Sequence, residues 1–313
     1  MKRGFLVAAS AAALLSACSG GNSGSSSGGG SVVTPPVTPS PSPTSSYPLY
    51  ADLSGQVRLQ SAQSGFWNIH GPSVPQIYGV NGFGEGIEFE YDADAKTYVI
   101  DNGAYSGTFT ADEIDPASPQ DSAFYRKTDG SFFNVRQPNG SDPFHYLRFI
   151  DYVVASDSGS HILALTGIPT RTADLPTSGS YSYQGAAGVF GYAVVATGTG
   201  DFETYSLSNS TIRMTVNFGA ETVSAHIVFV GTPESGGADI DLVTADVSAN
   251  FDGSNARAAL SGTFRNSNLP LAIGGVVFGS QAQEAGAILS LSAGSNETPA
   301  RYMTLVAMGA AKR

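Results

Sequence analysis

The side chains with most chemistry to offer are few: four histidines (His70, His145, His161 and His226), one cysteine (Cys18) and one tryptophan (Trp67) among 313 residues. No two histidines stand at the i, i+4 interval at which one helix face presents a pair to a metal. No metal site is therefore expected. His226 takes a polar position in an alternating strand and is expected to face solvent. His145 sits between Phe144 and Tyr146. Rings so placed pack a strand against its neighbour or grip a flat, iron-containing ligand. Asp239, Asp241 and Asp246 offer clustered oxygens of the kind that suit Ca²⁺. The spaced ligand loop with its glycine is missing, so a solvated acidic turn is expected. Gly82-Phe83-Gly84-Glu85-Gly86 is not followed by a helix, which argues against a phosphate cradle. No Gly-x-Ser-x-Gly elbow appears outside a low-complexity Gly/Ser stretch, and Ser, His and Asp show no local triad signature. The chain reads as a non-enzyme with no catalytic residues and no cofactor. A hydrolase triad assembled from distant residues would be the exception.

Aromatic residues are the stronger signal. Trp67 follows Gly65-Phe66, and Tyr47, Tyr50, Tyr78, Tyr91, Tyr98, Tyr105 and Tyr125 crowd the N-terminal half. Such rings are enriched at binding hot spots and are also ordinary strand residues. The candidate ligand-binding residues are Trp67, Tyr78, Tyr98, Tyr105 and His145. Trp67 itself is expected in the core, because large aromatics are mostly buried.

The elements that would carry these residues have period two. Ile87, Phe89 and Tyr91 alternate with Glu88, Glu90 and Asp92; Asp92-Ala93-Asp94-Ala95 makes a turn into Lys96–Ile100. This predicts a hairpin with one apolar face. Further strands are expected at 56–60, 66–69, 104–110, 122–126, 132–136 and 146–155, with no readable pairing order. In the second half, Ile212, Met214, Val216 and Phe218 are answered after a turn by Val223, Ala225, Ile227 and Phe229. The apolar phase then changes between Leu242 and Ala245, which places a turn or bulge near Val243-Thr244. With strands at 179–184, 191–196, 256–264, 275–278, 285–291 and 302–308, about eight short antiparallel strands are expected. That number closes a small, filled barrel. The last strand is apolar on both sides and is expected to close the ring against the first. The fold class is thus all-β: an eight-stranded antiparallel β-barrel preceded by a smaller β domain.

The N-terminus is of another kind. Lys2 and Arg3 precede an apolar run from Phe5 to Leu15 and small residues before Cys18, the layout of a secretory signal. Residues 1–17 are assigned to it. Residues 18–48 form a tether, Gly/Ser-rich and then Pro-rich, that should be flexible and then extended. The composition, 26 acidic against 15 basic residues and a net charge of −11, argues against nucleic acid or anionic lipid as an electrostatic partner.

Two resemblances sharpen this. Leu15-Ser16-Ala17-Cys18 resembles a bacterial lipobox, which implies that Cys18 carries the lipid of a mature lipoprotein. Ser19 stands where an inner-membrane retention signal would put Asp, which implies the outer membrane. Next, Ile168-Pro169-Thr170 through Leu175–Gly185, Val216–Ser224, and Leu260–Phe264 followed by Val277–Ala287 resemble, in that order, the β-barrel of the transferrin-binding protein B-like lipoproteins. The last stretch has that family's closing pattern: Phe278-Gly279, a short polar turn, Ala282, one residue, Glu284, then Gly286. The hairpin at Tyr91–Tyr98 is similar to the family's handle domain. The resemblance implies a handle over 49–174 and a barrel over 175–313, where full family members carry two such lobes. It implies a membrane-anchored module that binds a protein or small ligand, with an iron carrier, a host or environmental protein and a TonB-dependent receptor as partners. The alternative is a structural or accessory envelope lipoprotein with no soluble ligand.

Overall fold

The computed structural model describes residues 47–67, 69, 75–119, 122–138, 143–155, 160–185, 188–197, 201–252, 263–266, 271–294 and 302–313. Ten strands precede residue 168: β1 (Gln56–Leu59), β2 (Ser61–Trp67), β3 (Gln76–Asn81), β4 (Phe89–Asp92), β5 (Thr97–Ile100), β6 (Gly107–Phe109), β7 (Ser122–Arg126), β8 (Phe132–Arg136), β9 (Leu147–Val154) and β10 (Ser160–Gly167). Ten follow: β11 (Ser180–Gly185), β12 (Val189–Thr197), β13 (Asp201–Ser206), β14 (Thr211–Asn217), β15 (Thr222–Pro233), β16 (Ile240–Asp252), β17 (Thr263–Asn266), β18 (Leu271–Phe278), β19 (Glu284–Gly294) and β20 (Tyr302–Lys312).

The second set closes on itself. The order runs β13-β12-β20-β19-β18-β17-β16, and β15 pairs both β16 and β13. β11 leads into β12 and β13 into β14, so two interrupted runs and the six strands β15 to β20 make eight staves, all antiparallel. The last strand meets the first, with Ala193 opposite Leu305. The phase change is a bulge: Phe229 faces Val243 but Val230 faces Asp241, which leaves Leu242 over. Inside the ring Ile212, Met214, Val216, Val223, Ala225, Ile227 and Phe229 meet Ala287, Leu289, Leu305 and Ala307 in one core.

The first set forms two sheets. A six-stranded sheet, β3-β2-β10-β9-β8-β7, lies between the barrel and a four-stranded sheet, β1-β4-β5-β6. Leu163, Leu165, Phe149 and Phe66 pack on the outward residues Phe190, Val194, Val276, Ile288, Val306 and Met308 of the barrel. From the other face, Ile150, Tyr152, Ile162 and Ala164 meet Phe89, Tyr98, Ile100 and Phe109. β10 is therefore buried at all eight positions. β20 is apolar on both sides because one face fills the barrel and the other lies under the central sheet. Closure of the ring against the first strand accounts for only half of that pattern. β14 and β15, on the open side, keep strict alternation.

Three strands lay outside the sequence expectation: β3, β10 and β13. The expected strand at 104–110 shrinks to Gly107–Phe109 behind a 3-10 turn at Gly103–Tyr105. That at 66–69 is the end of β2, and of 256–264 only 263–264 lie among the described residues.

The family's closing pattern turns out to be a docking joint. Gly279 has φ +74°, and a Cβ there would lie 2.5 Å from the Tyr146 ring. A Cβ on Gly286 would lie 2.6 Å from Leu165. Glu284, fully buried, accepts backbone N–H bonds from His145 (2.6 Å), Tyr146 (3.0 Å) and Leu147 (3.2 Å). Burial raises its pKa above the ordinary 4.5 despite these donors and nearby Lys312.

Gly279→Ala should cost about 3 kcal/mol, because it adds left-handed strain to a rigid ring clash. A loss of unfolding free energy below about 1 kcal/mol in urea denaturation would contradict the joint. The pH dependence is signed. A carboxyl with a raised native pKa stabilises fully below its unfolded value, and that share is lost as pH rises through the native one. Relative to Glu284→Gln, the wild type should gain thermal stability as pH falls toward 4.5; a pH-independent difference would refute this.

Candidate ligand and partner site

A cleft of about 850 Å³ opens on the N-terminal half, lined by Tyr50, Tyr91, Tyr98, Tyr125, Lys96, His145 and Arg148 among others. The β4–β5 hairpin sets two of its rings opposite one another, Tyr91 against Tyr98, stacked at 4.3 Å. Tyr50 is brought to them by a 3-10 turn whose Tyr50 N–H donates to the His145 carbonyl (2.8 Å). It stacks on Tyr91 at 6.1 Å and shares a 2.8 Å hydroxyl bond with Tyr98. The Arg148 guanidinium lies 4.5 Å from the Tyr50 ring centroid and donates to the carbonyls of Leu147 (2.7 Å) and Phe144 (3.2 Å). Tyr125 donates to the Lys96 carbonyl (3.1 Å). Burial pushes the Tyr50, Tyr91, Tyr98 and Tyr125 phenols above their ordinary 10.0. They stay neutral at physiological pH. A smaller cleft of about 370 Å³ shares Asp115, Ser118, Ser122 and Gln137 with the first and adds Asn134 and Arg136.

Of the five candidates read from the sequence, Tyr98 and His145 line this cleft. Tyr98 is floor, nearly inaccessible, whereas His145 is exposed at the rim. The other three form a separate run. Trp67 meets Tyr78 edge-on at 6.4 Å, and Tyr78 meets Tyr105 likewise at 6.4 Å. Tyr105 donates to the Tyr78 hydroxyl (3.1 Å), which lies 3.0 Å from Ser160 Oγ. The core position expected for Trp67 is wrong: at 42% exposure it stands on the surface at the end of β2, beside the edge strand β3. β2 contributes Phe66 to the core, and alternation turns Trp67 outward.

Sequence reasoning missed a buried polar knot. Asp151 on β9 and His161 on β10 are 3% and 5% exposed. His161 Nε2 bonds Asp151 Oδ1, and Tyr192 of the barrel reaches Asp151 Oδ2 at 3.3 Å. His161 Nδ1 is buried with no partner in the structure. The signal was a lone carboxylate inside the run Phe149-Ile150-Asp151-Tyr152-Val153. Elsewhere His226 is exposed as expected and pairs with Asp246 at 2.7 Å. Asp239 accepts from Thr232 (2.6 Å) and Asn209 (2.7 Å). Among the described residues no group of three or more His, Cys, Asp or Glu could hold a metal ion. Cys18, the expected lipidation site, lies outside the described residues.

Residues 175–312 match the family model described as the C-lobe and N-lobe β-barrels of transferrin-binding protein B. They form a barrel of the transferrin-binding protein B family. The match covers the eight staves and the docking joint at 278–286. Among solved structures, the chain is similar to transferrin-binding protein B from Haemophilus parasuis, at 15% identity and TM-score 0.43 over 80% of this chain and 45% of that one. It is similar to HpuA from Kingella denitrificans, solved in complex with human haemoglobin, at 15% identity and TM-score 0.35 over 83% and 88% of the two chains. It is similar also to the N-lobe of lactoferrin binding protein B of Moraxella bovis, at 12% identity and TM-score 0.30 over 83% and 99%. Its matched part thus spans about half of the Haemophilus protein. No curated protein sequence matches the chain.

His161→Ala would leave Asp151 buried with only a tyrosine partner. Loss of one member of a buried pair costs about 3–5 kcal/mol, so chemical denaturation should show a fall of that size. A loss under about 1 kcal/mol would mean that water replaces the imidazole without penalty.

Proposed function

We propose that this protein is a non-enzymatic binding module, lipid-anchored through Cys18 to the outer membrane, that captures a protein or small ligand for iron, haem or nutrient acquisition. The observation that carries the reading is the family match of the barrel over 175–312. Supporting it, the N-terminal sheets (the handle of the expected division at 49–174) present two aromatic surfaces, the Trp67–Tyr78–Tyr105 run and the tyrosine cleft. Exposed tryptophan and tyrosine are the side chains most often found at the energetic centre of protein interfaces. The solved proteins to which the chain is similar are a transferrin-binding protein, HpuA in complex with human haemoglobin, and a lactoferrin-binding protein. We take an iron-carrying host protein as the partner class, with a TonB-dependent receptor as the membrane component that would take over the cargo.

Cells displaying the full chain should retain at least one labelled iron carrier from a panel of transferrin, lactoferrin, haemoglobin and haem. Trp67→Ala should weaken that retention about tenfold or more at unchanged expression. If no carrier is retained and in-cell cross-linking yields one dominant envelope protein instead, the accessory-lipoprotein reading replaces this one. If Cys18→Ser chains still sediment with membranes, the lipid anchor is wrong.

A further inference from the structure

We propose that the tyrosine cleft is a binding site for a small, planar, anionic molecule, such as an aromatic carboxylate. The inference deepens the binding-module reading and concerns a site separate from the Trp67 run, none of whose residues lines the cleft.

Size comes first. The cleft, at about 850 Å³, falls within the range of small-molecule pockets. Its walls then select shape. Tyr91 and Tyr98 lie nearly parallel, 17° apart, and Tyr50 continues the stack at the same 17°. Tyr91 ends partly exposed while the other two are buried. A half-open ring in a parallel stack offers its exposed edge to another flat ring, an edge-on arrangement that aromatic pairs favour.

Charge is selected by the donors. Arg148 and Lys96 both line the cleft, in a chain whose net charge is −11. The one carboxylate in the lining, Asp115, accepts the Ala117 backbone N–H (2.9 Å) and is thus drawn toward its own turn. The hydroxyls agree with the cations. Tyr50 and Tyr98 share one hydroxyl bond. Two phenol protons serve that one link, so one O–H is left over as a donor. A guanidinium, an ammonium and a neutral phenol donor around a flat wall suit an acceptor-rich anion and repel a cation. A charge-assisted hydrogen bond is about twice as strong as a neutral one, so the anion should outcompete a neutral molecule of the same shape.

The test uses the full chain and three probes of one shape and different charge: naphthoate, naphthalenemethanol and naphthylmethylammonium, titrated by calorimetry. Naphthoate should bind saturably, about tenfold tighter than the alcohol, with the ammonium weakest. Lys96→Glu, at an exposed turn, should weaken naphthoate about threefold or more and leave the alcohol unchanged. Tyr91→Leu should weaken naphthoate and the alcohol alike, and a thermal melt confirms that this variant is folded. Equal affinity for the three probes, preference for the ammonium, no saturable binding by any of them, or a Lys96→Glu chain that binds naphthoate as before would each overturn the proposal. Such a failure leaves carrier capture at the Trp67 run standing, because that capture is read on whole cells with a Trp67 variant.

Discussion

The structure depends on one contact: an apolar sheet face laid against the outside of a barrel. A small barrel in water needs an oily interior and a polar exterior. Here β18, β19 and β20 bury both faces, because Ile288, Val306 and Met308 point out of the ring into Leu163, Leu165 and Phe149. Burial on two sides turns β10 into the centre of the molecule. It is at once the lid of the barrel wall and the floor of the N-terminal core. The polar groups trapped along that seam must find partners. Glu284 does so by receiving three consecutive amides of 145–147, and Asp151 by meeting His161 and Tyr192. The glycines at 279 and 286 belong to the same solution, since each clears space for a side chain arriving from the central sheet. This polar seam also fixes where the sheet sits, as a slip of one residue would strand these groups against oil.

Legibility in the sequence followed exposure. Where one strand face meets water, alternation is strict and can be read, as at 211–217 and 222–229, and the Leu242 bulge showed as a change of phase. Where both faces are covered, the signal becomes a plain apolar run that no periodicity can place. Ser160–Gly167 was missed for that reason. The same ambiguity led the apolar character of Tyr302–Met308 to be explained by ring closure alone. β3 and β13 were missed for the opposite reason: both are largely half exposed, and Ile77, Tyr78 and Val80 in the one and Phe202 and Tyr205 in the other do not alternate strictly with polar residues.

The candidate surfaces were half legible. The hairpin register read around Asp92–Ala95 already sets Tyr91 across from Tyr98, so the floor of the cleft was implicit. What could not be read is that a turn near residue 50 and a strand near 148 converge on that hairpin, because both contacts span long sequence separations. Trp67 shows the reverse case, in which a residue preference for burial lost to the parity of its own strand. The barrel, by contrast, matches its family model along its whole length, 175–312.

Native-state hydrogen exchange tests the central claim most directly. If the sheet and the barrel wall share one core, amides of β10 and β20 should be the slowest in the molecule and should open together, at the free energy of global unfolding. Exchange in β10 that runs at the pace of the β1–β6 sheet, while β18 to β20 stay protected, would show a barrel that stands without its cover and would contradict the account.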